Sequence, residues 1–172
     1  MDQHPPIQIV NERDEPIGGT SMQEAYSQGL IHRIVYVVAE DQEGNILLQK
    51  RSMNVANDKN RWDISVGGHV DEGEDYQEAA EREMQEELGL SDRQLTEIKR
   101  FYSEDTLVHN KHLKRFVRVY KTTIARDTSI NFNHEEVTQV QWMSVAAIKQ
   151  LIANDRASVA SGLVECMKEC YP

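Results

Sequence analysis

Residues 67–90, GGHVDEGEDYQEAAEREMQEELGL, carry the strongest structural signals in the sequence. Asp75 and Glu78 have the spacing of a capping box, in which the two side chains bond to backbone N–H groups at a helix start. Gly89 supplies the left-handed residue with which many helices end. Together these signals predict a helix over residues 76–88, preceded by an acidic loop and a glycine pair.

Glutamates cluster on one face of this predicted helix. Residues three or four apart are neighbours on a helix surface, so Glu83, Glu86 and Glu87 project together. Like charges at this spacing destabilise a helix by about 0.2–0.5 kcal/mol per pair, which favours a bound cation. A solvated surface face is the alternative, but Gly67 and Gly68 allow backbone carbonyls to approach the same ion. Clustered carboxylate oxygens suit Mg²⁺ or Mn²⁺.

The same stretch matches the Nudix box, the pattern G-x5-E-x7-R-E-U-x-E-E-x-G-U in which U is apolar. The matching residues are Gly68, Glu74, Arg82, Glu83, Met84, Glu86, Glu87, Gly89 and Leu90. The chain therefore resembles the Nudix hydrolase superfamily. The resemblance implies an α/β fold, specifically a Nudix-type α/β/α sandwich around a mixed β-sheet. It also implies Mg²⁺-dependent hydrolysis of a nucleoside or other organic diphosphate linked to a moiety X.

Carried over by position in the box, the resemblance assigns metal ligands. Glu83, Glu86 and Glu87 would hold Mg²⁺ or Mn²⁺, helped by the carbonyl of Gly67. The physical role of such a cation is to neutralise the diphosphate, lower the pKa of water and stabilise the leaving oxygen. An acidic metal-binding cluster is therefore predicted together with a phosphorylated substrate.

The resemblance also assigns catalytic residues, which are Glu83, Glu86, Arg82 and Glu74. Arg82 would orient Glu83, and Glu74 would support that arrangement from the helix entrance. A carboxylate must then take a proton from water as the general base. Glu83, Glu86 and one glutamate of the pair 135–136 stay open for this role.

A second resemblance raises a rival function. The segments around residues 30–33, 47–51 and 62–69 look like the isopentenyl-diphosphate isomerase branch of the superfamily. That isomerase moves a double bond with a catalytic cysteine at the position of Gly67, and this chain has no side chain there. Its box is typically degraded, whereas the box here is intact. Hydrolysis is therefore the main prediction and isomerase activity the alternative.

Basic and polar residues near the predicted site are candidates for substrate contacts. They are Arg33, Lys50, Arg51, His69 and Glu136. The cationic members either bind phosphates or are solvated charges at strand ends. His32 and His69 match positions that the isomerase uses for an additional metal, but each is also explained as a hydrogen-bonding residue. Residues 103–114 are predicted to form a variable loop over the substrate.

Composition sets the class of protein. A length of 172 residues suits one domain, and 39% hydrophobic with 28% charged residues is ordinary for globular proteins. The formal net charge of −10 opposes binding to a nucleic acid polymer. No apolar run suggests a membrane span or a secretion signal, so we expect a cytoplasmic protein with a small phosphorylated substrate. Cys166 and Cys170 are expected to be free thiols.

The remaining elements follow from local patterns. One Nudix domain over residues 1–172 is predicted, with an N-terminal hairpin extension at 1–30 and a C-terminal helix at 155–172. The extension or that helix would be the interface of a homodimer. Strands are predicted at 34–39, 46–49, 62–66, 95–102, 116–123 and 137–142, and a helix capped by Ser144 at 144–153. The glycine pair is expected to break the strand before it.

Overall fold

The computed structural model describes residues 4–107 and 111–172. Its helices are α1 (Met22–Gln28), α2 (Tyr76–Leu88), α3 (Val145–Asn154) and α4 (Ser161–Cys170), with a 3₁₀ turn at Arg156–Ser158. Its strands are β1 (Ile7–Val10), β2 (Pro16–Thr20), β3 (Ile31–Glu40), β4 (Asn45–Arg51), β5 (Trp62–Asp63), β6 (Val66–His69), β7 (Thr96–Leu107), β8 (Lys111–Thr123) and β9 (Val137–Ser144).

Strand β3 is the axis of a mixed sheet. On one side it pairs in parallel with β8, which pairs in antiparallel fashion with β7. On the other side it meets three antiparallel strands in turn: β1 at its start, β6 in its middle and β4 at its end. Strand β4 pairs further with β5 and β9. The predicted α/β class with a mixed sheet is confirmed.

The two faces of β3 pack against different helices. Val35 and Val37 lie in the same apolar cluster as Met84 of α2. Ile34 and Val38, which alternate with them, lie in a cluster with Leu163 of α4. Because both faces are covered, the strand is an almost continuous apolar run rather than an alternating one. This layering places α2 on one side of the sheet and α4 on the other.

Helix α2 has the bounds that its sequence predicts. Asp75 accepts hydrogen bonds from the backbone of residues 77 and 78, and the Glu78 side chain bonds back to Asp75 N–H. Gly89 has φ of 66° and ends the helix. Ser144 likewise caps α3 as predicted. The C-terminal helix, expected at 155–172, begins at Ser161 because the 3₁₀ turn precedes it.

Other local predictions were wrong. The glycine pair does not break a strand, since Gly67 and Gly68 lie within β6 and pair with Tyr36 and Val35. The predicted loop at 103–114 is a hairpin arm, because β7 continues to Leu107 and β8 begins at Lys111; residues 108–110 lie outside the described part. No described helix is long and apolar enough to span a membrane.

The N-terminal segment is more than a hairpin. The predicted strands β1 and β2 do pair, but β1 also joins the main sheet through Ile9 and His32. Helix α1, which the sequence analysis did not predict, follows them and is capped by Ser21 and Gly29. Its buried residue Tyr26 packs with Ile7 and Ile9. The segment therefore contributes side chains to the body of the fold.

Candidate active site

Helix α2 holds its glutamates at the margin of its buried face. Ala80, Met84 and Leu88 are buried against the sheet, as the apolar spacing requires. Glu87 is also buried, whereas the side chain of Glu86 is 54% exposed. The three predicted ligands thus run from the core to the surface rather than projecting equally.

Glu83 lies directly over a glycine of β6. A β-carbon at Gly68 would lie 2.0 Å from Cδ of Glu83, so only glycine leaves room for this carboxylate. Arg82 Nη1 donates to Oε1 of Glu83 at 2.8 Å. Burial raises the pKa of Glu83 to about 7, against the opposing effect of Arg82 and with a further increase from Glu86 and Glu136. The carboxylate is therefore fixed in place and electrostatically crowded.

Glu87 is the most deeply buried carboxylate of the cluster. It accepts hydrogen bonds from Gln49 Nε2 at 2.8 Å and from Gly67 N–H at 3.3 Å. Burial raises its pKa well above the usual value, and the neighbouring Glu83 raises it further. Gly67, predicted to act through its carbonyl, thus reaches the site through its N–H. Its role as a metal ligand stays a prediction.

Arg82 connects the two ends of the site. Its Nε and Nη2 each donate to the carboxylate of Glu74 at 2.9 Å, and Nη2 also donates to the carbonyl of His69 at 2.9 Å. Its Nη1 reaches Glu83 and, at 3.2 Å, Glu86. Such a bidentate pair fixes the guanidinium plane. The geometry matches the expected orientation of Glu83 by Arg82 with support from Glu74.

The late glutamate pair divides between two environments. The Glu136 carboxylate accepts from Asn133 at 2.9 Å, and its charge contributes to the raised pKa values of Glu83 and Glu87. The Glu135 side chain instead accepts from Asn54. Glu136 is therefore the member of the pair that belongs to the carboxylate cluster.

The donor set fits a hard divalent cation in its chemistry. It comprises carboxylates crowded over a glycine that leaves no Cβ in the way. Within residues 4–107 and 111–172, however, no group of three or more His, Cys, Asp or Glu is already arranged to hold a metal. Arg82 is bonded to Glu83 and Glu86, and Gln49 to Glu87. Each of these bonds uses one oxygen of its carboxylate.

Two predicted substrate contacts are occupied elsewhere. Arg33 donates from Nε to Asp14 at 2.7 Å, and its guanidinium lies 4.8 Å from the centre of the Tyr76 ring, at the start of α2. Arg51 is bonded to Asp63 at 3.2 Å. Both guanidiniums therefore hold structural contacts, and Arg33 lies at the opposite end of α2 from Glu87. The prediction that Arg33 contacts substrate has no support in this geometry, because Asp14 and Tyr76 engage it.

Lys50 lies over an aromatic ring. Its Nζ is 5.7 Å from the centre of the Trp62 ring, within the range of a cation–π contact. This contact leaves the ammonium donors available to an anion, unlike the bidentate pairs of an arginine. Lys50 therefore remains a candidate phosphate contact.

His32 and His69 do come together, but with a tyrosine. Their ring centres are 5.5 Å apart, and the Tyr26 hydroxyl lies 2.9 Å from Nε2 of His69. Nδ1 of His32 donates to the Leu30 carbonyl at 3.1 Å. Nε2 of His32 has no hydrogen-bond partner among the described residues. We call Tyr26, His32 and His69 the imidazole cluster.

Burial keeps the imidazole cluster neutral. It lowers the pKa of His32 to about 4, against the effect of the Leu30 carbonyl. It lowers the pKa of His69 to about 3, and His32 lowers it further. The substrate contact predicted for His69 is not supported by this arrangement, because Tyr26 engages its Nε2. Tyr26 was not predicted from the sequence, since only its place on α1 brings it to His32 and His69.

The chain is similar to known proteins both in sequence and in fold. The family model described as NUDIX domain matches residues 30–162. An uncharacterized Nudix hydrolase of Pseudomonas aeruginosa is 35% identical over 99 residues, which are 58% of this chain and 59% of that protein. The chain thus spans less than two thirds of this relative.

Two further matches extend over most of the chain. Isopentenyl-diphosphate Delta-isomerase 2 of Photorhabdus laumondii is 29% identical over 146 residues, 85% of this chain and 81% of that enzyme. A crystal structure of a Deinococcus radiodurans protein superposes with a TM-score of 0.79 at 26% identity, covering 96% of this chain and 99% of that one.

Proposed function

The chain belongs to the Nudix superfamily, and on that premise we propose that it is a Mg²⁺- or Mn²⁺-dependent pyrophosphohydrolase acting on an organic diphosphate linked to a moiety X. One observation carries the proposal. The carboxylate of Glu83 is packed over Gly68 and bonded to Arg82, which Glu74 holds in turn. These contacts hold one carboxylate in a buried cluster of like charges. Such an arrangement lowers the stability of the fold unless a cation binds there.

The proposed ligands are the glutamates of α2. Glu83, Glu86 and Glu87 would hold the cation, with the Gly67 carbonyl as a further oxygen donor. When bound, a divalent cation neutralises the diphosphate and activates water for attack at phosphorus. In this structure each of these carboxylates accepts from Arg82 or Gln49 through one oxygen, so its other oxygen would be the donor to the cation.

The protein's own groups would position the reaction and move its proton. Arg82 would keep Glu83 in one orientation, since Glu74 and the His69 carbonyl fix its guanidinium. Glu83, Glu86 or Glu136 would take the proton from the attacking water. Lys50 would meet a phosphate oxygen at the edge of the cluster. The substrate class that suits these groups is a small phosphorylated molecule, such as a nucleoside diphosphate derivative, a sugar nucleotide or a prenyl diphosphate.

Isomerase activity is the second candidate, favoured by the similarity to the Photorhabdus enzyme. The geometry around Gly67 opposes it. A β-carbon there would lie 3.1 Å from Cδ1 of Tyr36, so a cysteine side chain would fit only if the ring moved. Both cysteines of the chain, Cys166 and Cys170, lie instead on α4. The thiol that double-bond migration requires has no counterpart at this position.

The test is an assay of X-linked diphosphates with Mg²⁺ and with Mn²⁺, using the wild type and Glu83→Gln. We expect one class of diphosphate to be cleaved only with metal, and Glu83→Gln to lower kcat by about 10²- to 10⁴-fold. The matched control is Glu81→Gln, an exposed glutamate of the same helix whose partner is Gln77. It should retain wild-type activity.

Two results would contradict the proposal. One is metal-dependent cleavage that Glu83→Gln leaves intact. The other is conversion of isopentenyl diphosphate to its dimethylallyl isomer without cleavage of any diphosphate in the panel, which would establish the rival function.

A further inference from the structure

Strand β7 forms an outer edge of the sheet. It has 12 residues and, among residues 4–107 and 111–172, pairs with β8 alone. Ile98 and Tyr102 on this strand are 40% and 44% exposed. An edge strand presents a row of backbone N–H and C=O groups with which another strand can pair. The edge is therefore a surface that a partner strand would fit.

The charges along this edge are complementary to themselves. From Lys99 to Asp105 the strand reads Lys-Arg-Phe-Tyr-Ser-Glu-Asp, so two bases and two acids flank a centre at Tyr102. If two copies run antiparallel about Tyr102, Arg100 of each lies opposite Glu104 of the other, and Lys99 lies opposite Asp105. A two-fold axis makes each of these pairs twice.

Other alignments of the same edge bring like charges together. An antiparallel register centred on Arg100 places two guanidiniums opposite each other, and one centred on Glu104 places two carboxylates opposite each other. A parallel alignment pairs Arg100 with itself as well. Directly opposed like charges destabilise a strand pair. Among these alignments, the antiparallel register about Tyr102 alone places opposite charges against each other.

The charged side chains of the edge are accessible to a second copy. The side chain of Arg100 is 69% exposed and is paired with Glu97 of its own strand. The side chain of Glu104 is 57% exposed and lies 3.6 Å from Lys114. Exposed pairs of this kind contribute little to stability. Breaking these two pairs to form contacts with a second copy therefore costs little free energy.

We propose that a second copy of this chain pairs with β7 in antiparallel fashion about Tyr102, so that the two sheets become one. Backbone hydrogen bonds and the burial of Tyr102 supply the affinity, and the opposed charges select the register. This interface differs from the two expected from sequence, which were the N-terminal extension and the C-terminal helix. It does not depend on the proposed enzymatic activity.

A charge-reversal series tests the interface by sedimentation velocity. The mass obtained for the wild type is expected to be twice the 19.8 kDa of one chain. Arg100→Glu and Glu104→Arg each place like charges opposite each other twice, and each should weaken dimerisation by about tenfold or more. The double variant Arg100→Glu/Glu104→Arg restores opposite charges and should return to the dimer.

The control is Arg13→Glu, which makes the same change of charge at a 79% exposed side chain in the turn between β1 and β2. It should remain dimeric. Thermal unfolding monitored by circular dichroism verifies that every variant is folded. A monomeric wild type, a dimer that neither single reversal weakens, or a folded double variant that stays monomeric would each overturn the proposal.

Discussion

Gly68 and His69 are neighbours on β6, yet they face two buried clusters of different kinds. Gly68 faces the carboxylate of Glu83, and His69 faces Tyr26 and His32 in the imidazole cluster. Successive residues of a strand point to opposite faces, so one short strand serves both. The two regions share burial and titratable side chains. They differ in charge, because the glutamates of the first cluster repel one another when ionised, whereas the imidazoles of the second are neutral.

Burial moves both clusters toward the neutral form by opposite shifts. It raises the pKa values of Glu83 and Glu87 and lowers those of His32 and His69. The neutral imidazoles then pack as aromatic rings with nothing left to neutralise. The carboxylates repel one another when ionised, and a bound cation would relieve that repulsion. Burial of titratable groups alone does not mark a reactive site, whereas crowding of like charges does.

Of the substitutions that distinguish the two clusters, Gly68→Ala is expected to have the largest effect. Gly68→Ala would place a β-carbon 2.0 Å from Cδ of Glu83, so the carboxylate must move. We expect kcat to fall by about 10²-fold, because misplacement of a catalytic group by about 1 Å costs this much. The measurement is steady-state kinetics with Mg²⁺ on the cleaved diphosphate.

A double-mutant cycle isolates the cause of that loss. If Gly68→Ala acts through Glu83, it should add nothing to the loss already caused by Glu83→Ala. Equal losses from Gly68→Ala in both backgrounds would mean that the glycine serves the site in another way.

The imidazole cluster should govern acid stability instead of activity. The pKa of His32 is lowered from 6.5 to about 4, so below pH 6.5 the unfolded chain binds a proton that the folded chain does not. The stability that neutral His32 contributes is complete above pH 6.5 and is lost as the pH falls to 4, by about 3 kcal/mol. His32→Leu should flatten this pH dependence.

Urea unfolding at several pH values between 7 and 4.5 measures this difference. His134→Leu, at an exposed histidine, is the control for a change in histidine count. If the wild type and His32→Leu lose stability in parallel, His32 is not the buried neutral group described here.

The smallest effect is expected at the hydroxyl of Tyr26. Tyr26→Phe removes the contact with His69 Nε2 and keeps the ring, which should lower the free energy of unfolding by about 1 kcal/mol. The kcat should change little, because the hydroxyl is separated from the carboxylates by the sheet. A large loss of activity with an unchanged fold would assign the imidazole cluster to catalysis and remove the distinction drawn above.

Local signals explain which parts of the molecule the sequence could predict. Helix α2 has the predicted bounds because Asp75, Glu78 and Gly89 act within a few residues of the helix ends. That Glu83 and Glu87 lie on one face of α2 follows from helical periodicity alone. The glycine pair was misjudged because a glycine within a strand is explained only by what approaches it, here the carboxylate of Glu83.

Long-range contacts are what the sequence could not show. Nothing near Arg33 in sequence shows that Asp14 and Tyr76 engage it. The partner of His69 is equally distant, since Tyr26 lies 43 positions away on a helix of 7 residues. Such short helices carry too few turns to show a clear apolar period. Roles that depend on a single distant side chain therefore required the structure.

Calorimetric titration with Mn²⁺ shows whether the glutamates of α2 bind a divalent cation. The wild type should bind the ion, and Glu87→Gln should weaken binding by about tenfold or more, because it removes one ligand charge from the cluster. Glu81→Gln should bind as the wild type does. No uptake of Mn²⁺ or Mg²⁺ by the wild type, or equal affinity in Glu87→Gln, would contradict the account.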